Sequence, residues 1–200
     1  MRKIITIGRE FGSGGRELGK RLAEELNIAY YDKEIITAIA SKSGMAEEYV
    51  SNVVENHITS YYPIIVGQSF SYPYEMEPRT SVMATQTQII EEFAQKSDCV
   101  IIGRCADYIL RDSHPFKIFV YADIDYRVDR CREKEPKNEH LTDAELKKKI
   151  LGIDKSRAKY YEYYTGCKWG DKSNYTLCIN TTGREIKSLV PALSHYLKSL

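Results

Sequence analysis

"IGREFGSGGRELGKRLAEEL", residues 7–26, decides how the rest of the chain is read. Just before and into it, "KIITI" (3–7) is a β-branched run closed by Gly8, the pattern of a short buried strand. Beyond residue 15, Leu18, Leu22, Ala23 and Leu26 recur at helical spacing with polar residues between them. Gly12, Gly14 and Gly15 let the intervening backbone curl without Cβ clashes. Such a curl at a helix N-terminus aims several N–H groups and the positive end of the helix dipole at one point, which suits a phosphate. The lysine and the Ser/Thr hydroxyl that usually complete such a loop are missing. We read Arg16 as the substitute cation, able to grip two phosphate oxygens at once, and Glu17 as a carboxylate ligand for Mg2+. Two other readings stay open. Arg16 and Glu17 can be solvated first-turn residues beside a merely tight turn. Alternatively, Gly12-x-Gly14 opens a dinucleotide fingerprint with Asp32 as its ribose-binding acid, although Glu17 then occupies the third glycine position.

Outward from this stretch, short apolar runs alternate with helical patterns. "IAYYD" (28–32), "CVIIG" (99–103), "FKIFVYA" (116–122) and "YTLCIN" (175–180) read as strands. "KEIITAIASKSG" (33–44), residues 45–56, "SVMATQTQIIEEFAQKS" (81–97, with Ser81 as N-cap), a charged region over about 125–163 and a closing segment from Thr182 read as helices, the last broken or kinked at Pro191. Strands that alternate with helices predict an α/β fold, a parallel sheet covered on both faces, in a single domain over 1–200. Residues 57–80 carry Pro63, Pro73 and Pro78 and have no period, which predicts a loop or flap. Ligands of such sheets bind at the carboxyl ends of the strands.

The bulk numbers remove several function classes. A net charge of +1 gives no global reason to bind nucleic acid. No apolar run is long enough to span a bilayer, and the N-terminus lacks the apolar core of a signal peptide. Five scattered cysteines without a C-x-x-C predict reduced thiols and a cytoplasmic protein. His57, His114, His140 and His195 have no metal-ligand spacing. The sixteen tyrosines bunch at 61–74 and 160–164, where their flat faces suit half-wet clefts and interfaces, so stacking on a base and a homo-oligomer contact are both open to them.

Three further motifs join the glycine loop: "VIIGRCADYIL" (100–110), "FKIFVYADIDYRVDRCRE" (116–133) and "GIDKSRAKYY" (152–161). In this order they resemble the cytidylate kinase-like family, a group of P-loop nucleoside monophosphate kinases, and "GSGGRE" (12–17) resembles its divergent branch. The resemblance implies a three-layer P-loop nucleotide kinase fold with a mobile helical lid at about 125–165 and an acceptor-side flap at about 45–80. It implies ATP and Mg2+ as cofactors and transfer of a phosphoryl group to a CMP-like nucleoside monophosphate or another small acceptor. Gly12, Ser13, Gly14 and Gly15, with Arg16 and Glu17, then hold the donor phosphates. Asp32 and Arg104 hold the acceptor, while Arg127, Arg130 and Arg157 act with Arg16 on the transferred group. The chain departs from the family where Gly15 stands at the lysine position, Ile102 at an aspartate, and Thr37 and Ala38 at the acceptor-gripping tyrosine and arginine. A nucleotide sensor without turnover is therefore the alternative reading.

Overall fold

The computed structural model describes residues 2–55, 76–133 and 141–199. Five strands, β1 (Ile4–Arg9), β2 (Ala29–Tyr31), β3 (Cys99–Ile102), β4 (Phe116–Tyr121) and β5 (Leu177–Asn180), form one sheet in the order β2-β3-β1-β4-β5. All neighbouring pairs are parallel. Successive strand residues face opposite sides, and both sides are covered. Ile5, Ile7, Val100, Ile102, Ile118 and Val120 meet Leu18 and Leu22 of α1 (Gly15–Leu26) and Val190, Leu193 and Leu197 of α8 (Ile186–Lys198). On the other side Cys99 and Ile101 join a core built by α2 (Lys33–Ser43), α3 (Glu47–Glu55), α4 (Met76–Lys96), α5 (Ala106–Ile109) and the end of α7 (Asp143–Thr165). A smaller cluster, Val128, Leu146 and Ile150 with Phe11 against it, joins α6 (Ile124–Arg132) and α7 to the glycine loop. This is the expected three-layer α/β arrangement.

The strand order places the site. β1 lies in the middle, between β3 and β4. Its chain leaves through α1 toward β2 on one side, whereas the chain from β4 leaves toward β5 on the other. The carboxyl end of β1 is therefore a topological switch point, where a crevice opens. The same order removes the dinucleotide reading: there β2 would neighbour β1, but here β3 separates them.

Several expectations need correction. The long helix before β3 begins at Met76, not Ser81, so the last five residues assigned to the flap are helical and Ser81 lies inside the helix. Pro78 stands in its first turn, where a missing N–H costs nothing. The remainder of the expected flap, 57–75, lies outside the described residues, as do His57 and the tyrosines at 61, 62, 72 and 74. The closing helix runs through Pro191 without a break. Pro191 is on the solvent-exposed side of the helix.

Candidate active site at the ends of β1 and β3

The loop between β1 and α1 is a built structure. Gly12 (φ +80°) and Gly14 (φ +83°) are left-handed, and Gly14 caps α1. A Cβ on Gly12 would stand 3.1 Å from the Arg127 carbonyl oxygen, so only glycine passes there without strain. Ser13 is buried; its hydroxyl donates to the Glu10 carbonyl at 2.9 Å, and its own carbonyl accepts from the Thr181 hydroxyl at 2.7 Å. The Ser13 side chain is thus committed to the turn. The helix start leaves the N–H groups of Gly15, Arg16 and Glu17 without intrahelical acceptors, beside a cavity of about 780 Å³ that all three line. That volume lies in the usual range for small-molecule sites.

Two ion pairs position the sequence-assigned loop side chains. Arg16 Nε lies 2.6 Å from Asp32 Oδ2; Asp32 is buried at the start of α2 while Arg16 is half exposed at the cavity. Glu17 bonds Arg130 of α6 at 2.5 Å and Arg21 of α1 at 3.0 Å. Donor-loop, acceptor-side and lid residues assigned from sequence are therefore joined pairwise across the cavity mouth.

Arg127 is placed differently. It is buried, and its Nη1 bonds Asp154 of α7 and the Phe11 carbonyl, the latter at 3.2 Å. Its Nε faces Glu10 Oε2 at 3.6 Å. Asp154 Oδ1 in turn accepts from the Phe11 N–H at 2.7 Å. The pair fastens the glycine loop to both helices of the expected lid, so a swing hinged at residue 125 would break a buried ion pair. Residues 134–140, between the two helices, lie outside the described residues. Arg157, one turn after Asp154, donates to the Arg9 carbonyl at 3.2 Å and lies over the Phe11 ring at 5.5 Å from its centroid.

Arg104 sits on a strained turn. Gly103, Arg104 and Cys105 are successively left-handed (φ +67°, +59° and +54°) directly after β3. Left-handed non-glycine residues cost about 1–3 kcal/mol each and gather at functional sites. The turn holds Arg104 buried against an inner cavity of about 280 Å³, and Gln86 of α4 donates to its carbonyl at 3.2 Å. Behind it Asp107 accepts from the Tyr161 hydroxyl at 2.6 Å. Cys105 is buried, and burial pushes its thiol up, as suits a packing residue.

One residue escaped the sequence reading. Arg9, the last residue of β1, lines both cavities. Burial first, then Arg157 and Arg104, hold its guanidinium down to about 9. Among the described residues no carboxylate lies within ion-pair distance of it. The available signal was a repeat: Ile7-Gly8-Arg9 and Ile102-Gly103-Arg104 end adjacent strands, with Ile7 and Ile102 in register.

Asp107 yields a pH prediction. Burial raises its carboxyl above the ordinary value despite the Tyr161 hydrogen bond. A raised folded value means that its contribution to stability is full below the unfolded value and is lost as pH rises through the folded one. Asp107→Asn keeps the acceptor for Tyr161 and removes the charge. Its melting temperature is expected to exceed that of wild type at about pH 7 and to match it near about pH 3; equal melting temperatures at both ends would refute this.

A parallel sheet of this order, with a glycine loop at the end of its central strand and arginines around the crevice, has the P-loop kinase fold. The chain belongs to the cytidylate kinase-like family, whose model matches residues 4–183. It is 25% identical over 189 residues to the cytidylate kinase of Methanopyrus kandleri, covering 90% of this chain and 84% of that one. It is 22% identical over 220 residues to the cytidylate kinase of Clostridium tetani, covering 100% and 95%. Its structure is similar to that of an uncharacterized protein from Eubacterium ventriosum, with a TM-score of 0.70 at 26% identity over the whole of both chains. It is also similar to shikimate kinase from Bacteroides thetaiotaomicron, with a TM-score of 0.58 at 17% identity over 98% of each, a likeness of fold alone. No helix among the described residues is long and apolar enough to cross a membrane.

Proposed function

We propose that the chain transfers the γ-phosphoryl group of ATP to a CMP-like nucleoside monophosphate or a related small phosphorylated acceptor. The observation that carries this reading is the convergence of Arg9, Arg16, Arg104 and Arg157 on the two cavities beside the N-terminus of α1. Phosphoryl transfer needs little covalent help from a protein; it needs two anions held in line and the spreading charge neutralised. Loop amides and Arg16 hold the donor, and Arg104 holds the acceptor phosphate. Arg130 and Arg157 lie over the transferred group. Arg127, buried in its pair with Asp154, is a positioning residue for the loop. An acceptor phosphate oxygen attacks the γ-phosphorus as the bond to the β–γ bridging oxygen breaks, and ADP leaves. That acceptor is already anionic, so no base is required.

Mg2+ would supply further charge neutralisation on the donor. No group of three or more acidic, His or Cys side chains that could hold a metal occurs among the described residues. Mg2+ at a nucleotide needs only one or two carboxylates, with phosphate and water completing its shell. Glu17 fits that requirement, since it lines the larger cavity and is partly exposed, and it would exchange Arg130 for the metal. The five scattered cysteines, without a C-x-x-C, support a reducing, cytoplasmic setting.

A second reading has its own support. Gly15 stands in the lysine position and Glu17 already bonds two guanidinium groups, which favours a nucleotide sensor without turnover. Radiolabelled ATP with CMP, dCMP, UMP, AMP and GMP separates the two. We expect transfer to at least one acceptor, and about tenfold weaker ATP binding for Arg16→Ala, the effect of one charge-assisted contact at a half-exposed position. Binding with no transfer to any acceptor leaves the sensor; no binding defeats both.

A further inference from the structure

We infer that Arg9 replaces the missing loop lysine as the cation that spans the donor's terminal phosphate and the acceptor. This rests on the phosphotransferase reading above and names a residue which that reading leaves without a role. The first ground is steric. A Cβ placed on Gly15, the position of the family's lysine, would stand 2.5 Å from Arg9 Cβ and 3.2 Å from Arg9 Cγ. The stem of Arg9 therefore fills the space from which a lysine at residue 15 would depart. The two side chains exclude one another, and a chain that carries Arg9 needs glycine at 15.

The second ground is at the other end of the side chain. The head of Arg9 lies where a Cβ on Gly103 would be, in contact through its Nη1. Gly103 is thus the second glycine that makes room for this one arginine, besides being left-handed itself (φ +67°). Two glycines from two different strand ends yield to Arg9, one at its stem and one at its head.

The third ground is charge. Arg9 is the residue shared by the larger cavity at the donor loop and the inner cavity at Arg104, together with Phe11 and Arg157. Its neighbours are mainly cationic: Arg157 donates to its carbonyl at 3.2 Å and Arg104 follows the strand in register beside it, against the more weakly felt carboxylate of Asp32. A half-buried guanidinium among other guanidiniums is costly unless an anion joins it. A phosphate chain that ends between the two cavities meets that need and loses none of the loop amides. Arg16, half exposed and paired with Asp32, is then an outer contact on the donor, and Arg9 the inner one.

The test uses the full chain and two readouts. Calorimetric titration with the β,γ-imido analogue of ATP and with ADP measures what the last phosphate adds, and phosphoryl transfer measures turnover. Arg9→Met keeps a stem and removes the charge. We expect it to weaken the triphosphate analogue about thirtyfold and ADP by no more than about threefold, and to lower kcat about a hundredfold, without a lower melting temperature. A swap follows from the geometry. Arg9→Gly with Gly15→Lys, which returns the amine to the loop, should recover at least about a tenth of the wild-type kcat, whereas Arg9→Gly or Gly15→Lys alone should not. Arg9→Met that binds the analogue within about threefold of wild type overturns the inference while leaving the phosphotransferase reading in place. So does a folded swap variant no better than Arg9→Gly. A wild-type chain that binds neither nucleotide defeats both.

Discussion

Asp154→Ala is expected to lower the melting temperature by about 10 °C and to abolish transfer. Asp154 bonds the Phe11 N–H, the buried Arg127 guanidinium and, at 3.8 Å, Arg157. Its removal leaves Arg127 buried with the Phe11 carbonyl at 3.2 Å and Glu10, at 3.6 Å, as the carboxylate still facing it. Breaking a buried pair from one side costs about 3–5 kcal/mol, and in a chain of this size each kcal/mol moves the midpoint by about 2–4 °C. The pair is also the fastening between the loop and two helices, so the remedy separates the two effects. Arg127→Met with Asp154→Leu removes both charges and fills the space. That variant should regain most of the stability, because an apolar replacement of a buried pair is often neutral or better, yet transfer should stay low because Phe11 is no longer held. Calorimetry and the transfer assay on the same samples decide it. A melting temperature within about 2 °C of wild type for Asp154→Ala would mean the pair fastens nothing.

Arg104→Ala is expected to cut kcat/KM for the acceptor by about 10²–10³, the scale of losing one aimed donor in a dry site, with ATP affinity unchanged within about threefold. The buried guanidinium rests on a turn whose three residues are all left-handed, and a guanidinium so held has lost its entropy before any anion arrives. The turn also provides the control. Glycine accepts φ +59° without strain and alanine does not, so Arg104→Gly should melt above Arg104→Ala by the equivalent of about 1 kcal/mol while being equally inactive. Equal acceptor kinetics in wild type and Arg104→Gly would remove Arg104 from the acceptor site.

Much of the fold was legible because it depends on local chemistry. The β-branched runs, the helically spaced leucines of α1 and the glycine punctuation between them mark strand, loop and helix at their places. Their alternation specifies a parallel sheet, because a strand buried on both faces has no polar side to show. The boundary at Ser81 failed for a local reason as well. Pro78 looked like a breaker, yet a proline in a first turn breaks nothing.

Side-chain roles were less legible. Arg127 and Arg130 stand three apart on one helix and look alike in sequence. In the structure one is buried against Asp154 and the other meets Glu17 at the cavity. Arg104 was legible through the resemblance of "VIIGRCADYIL" to a family motif. Arg9 has the same Ile-Gly-Arg context but lies before the loop, whereas Arg16 lies inside it beside the expected lysine position.

By itself the amino-acid sequence determined the order of elements, the glycine curl and the absence of the customary lysine and hydroxyl, all properties of residues near one another in the chain. The tertiary structure alone decided that the stem of Arg9 lies against Gly15, that β3 stands between β1 and β2, and that Asp154 ties the loop to the helices. Those facts depend on contacts between residues far apart in sequence, such as Phe11 with Asp154 and Gly103 with Arg9, and no local pattern encodes which distant side chain a cavity will admit.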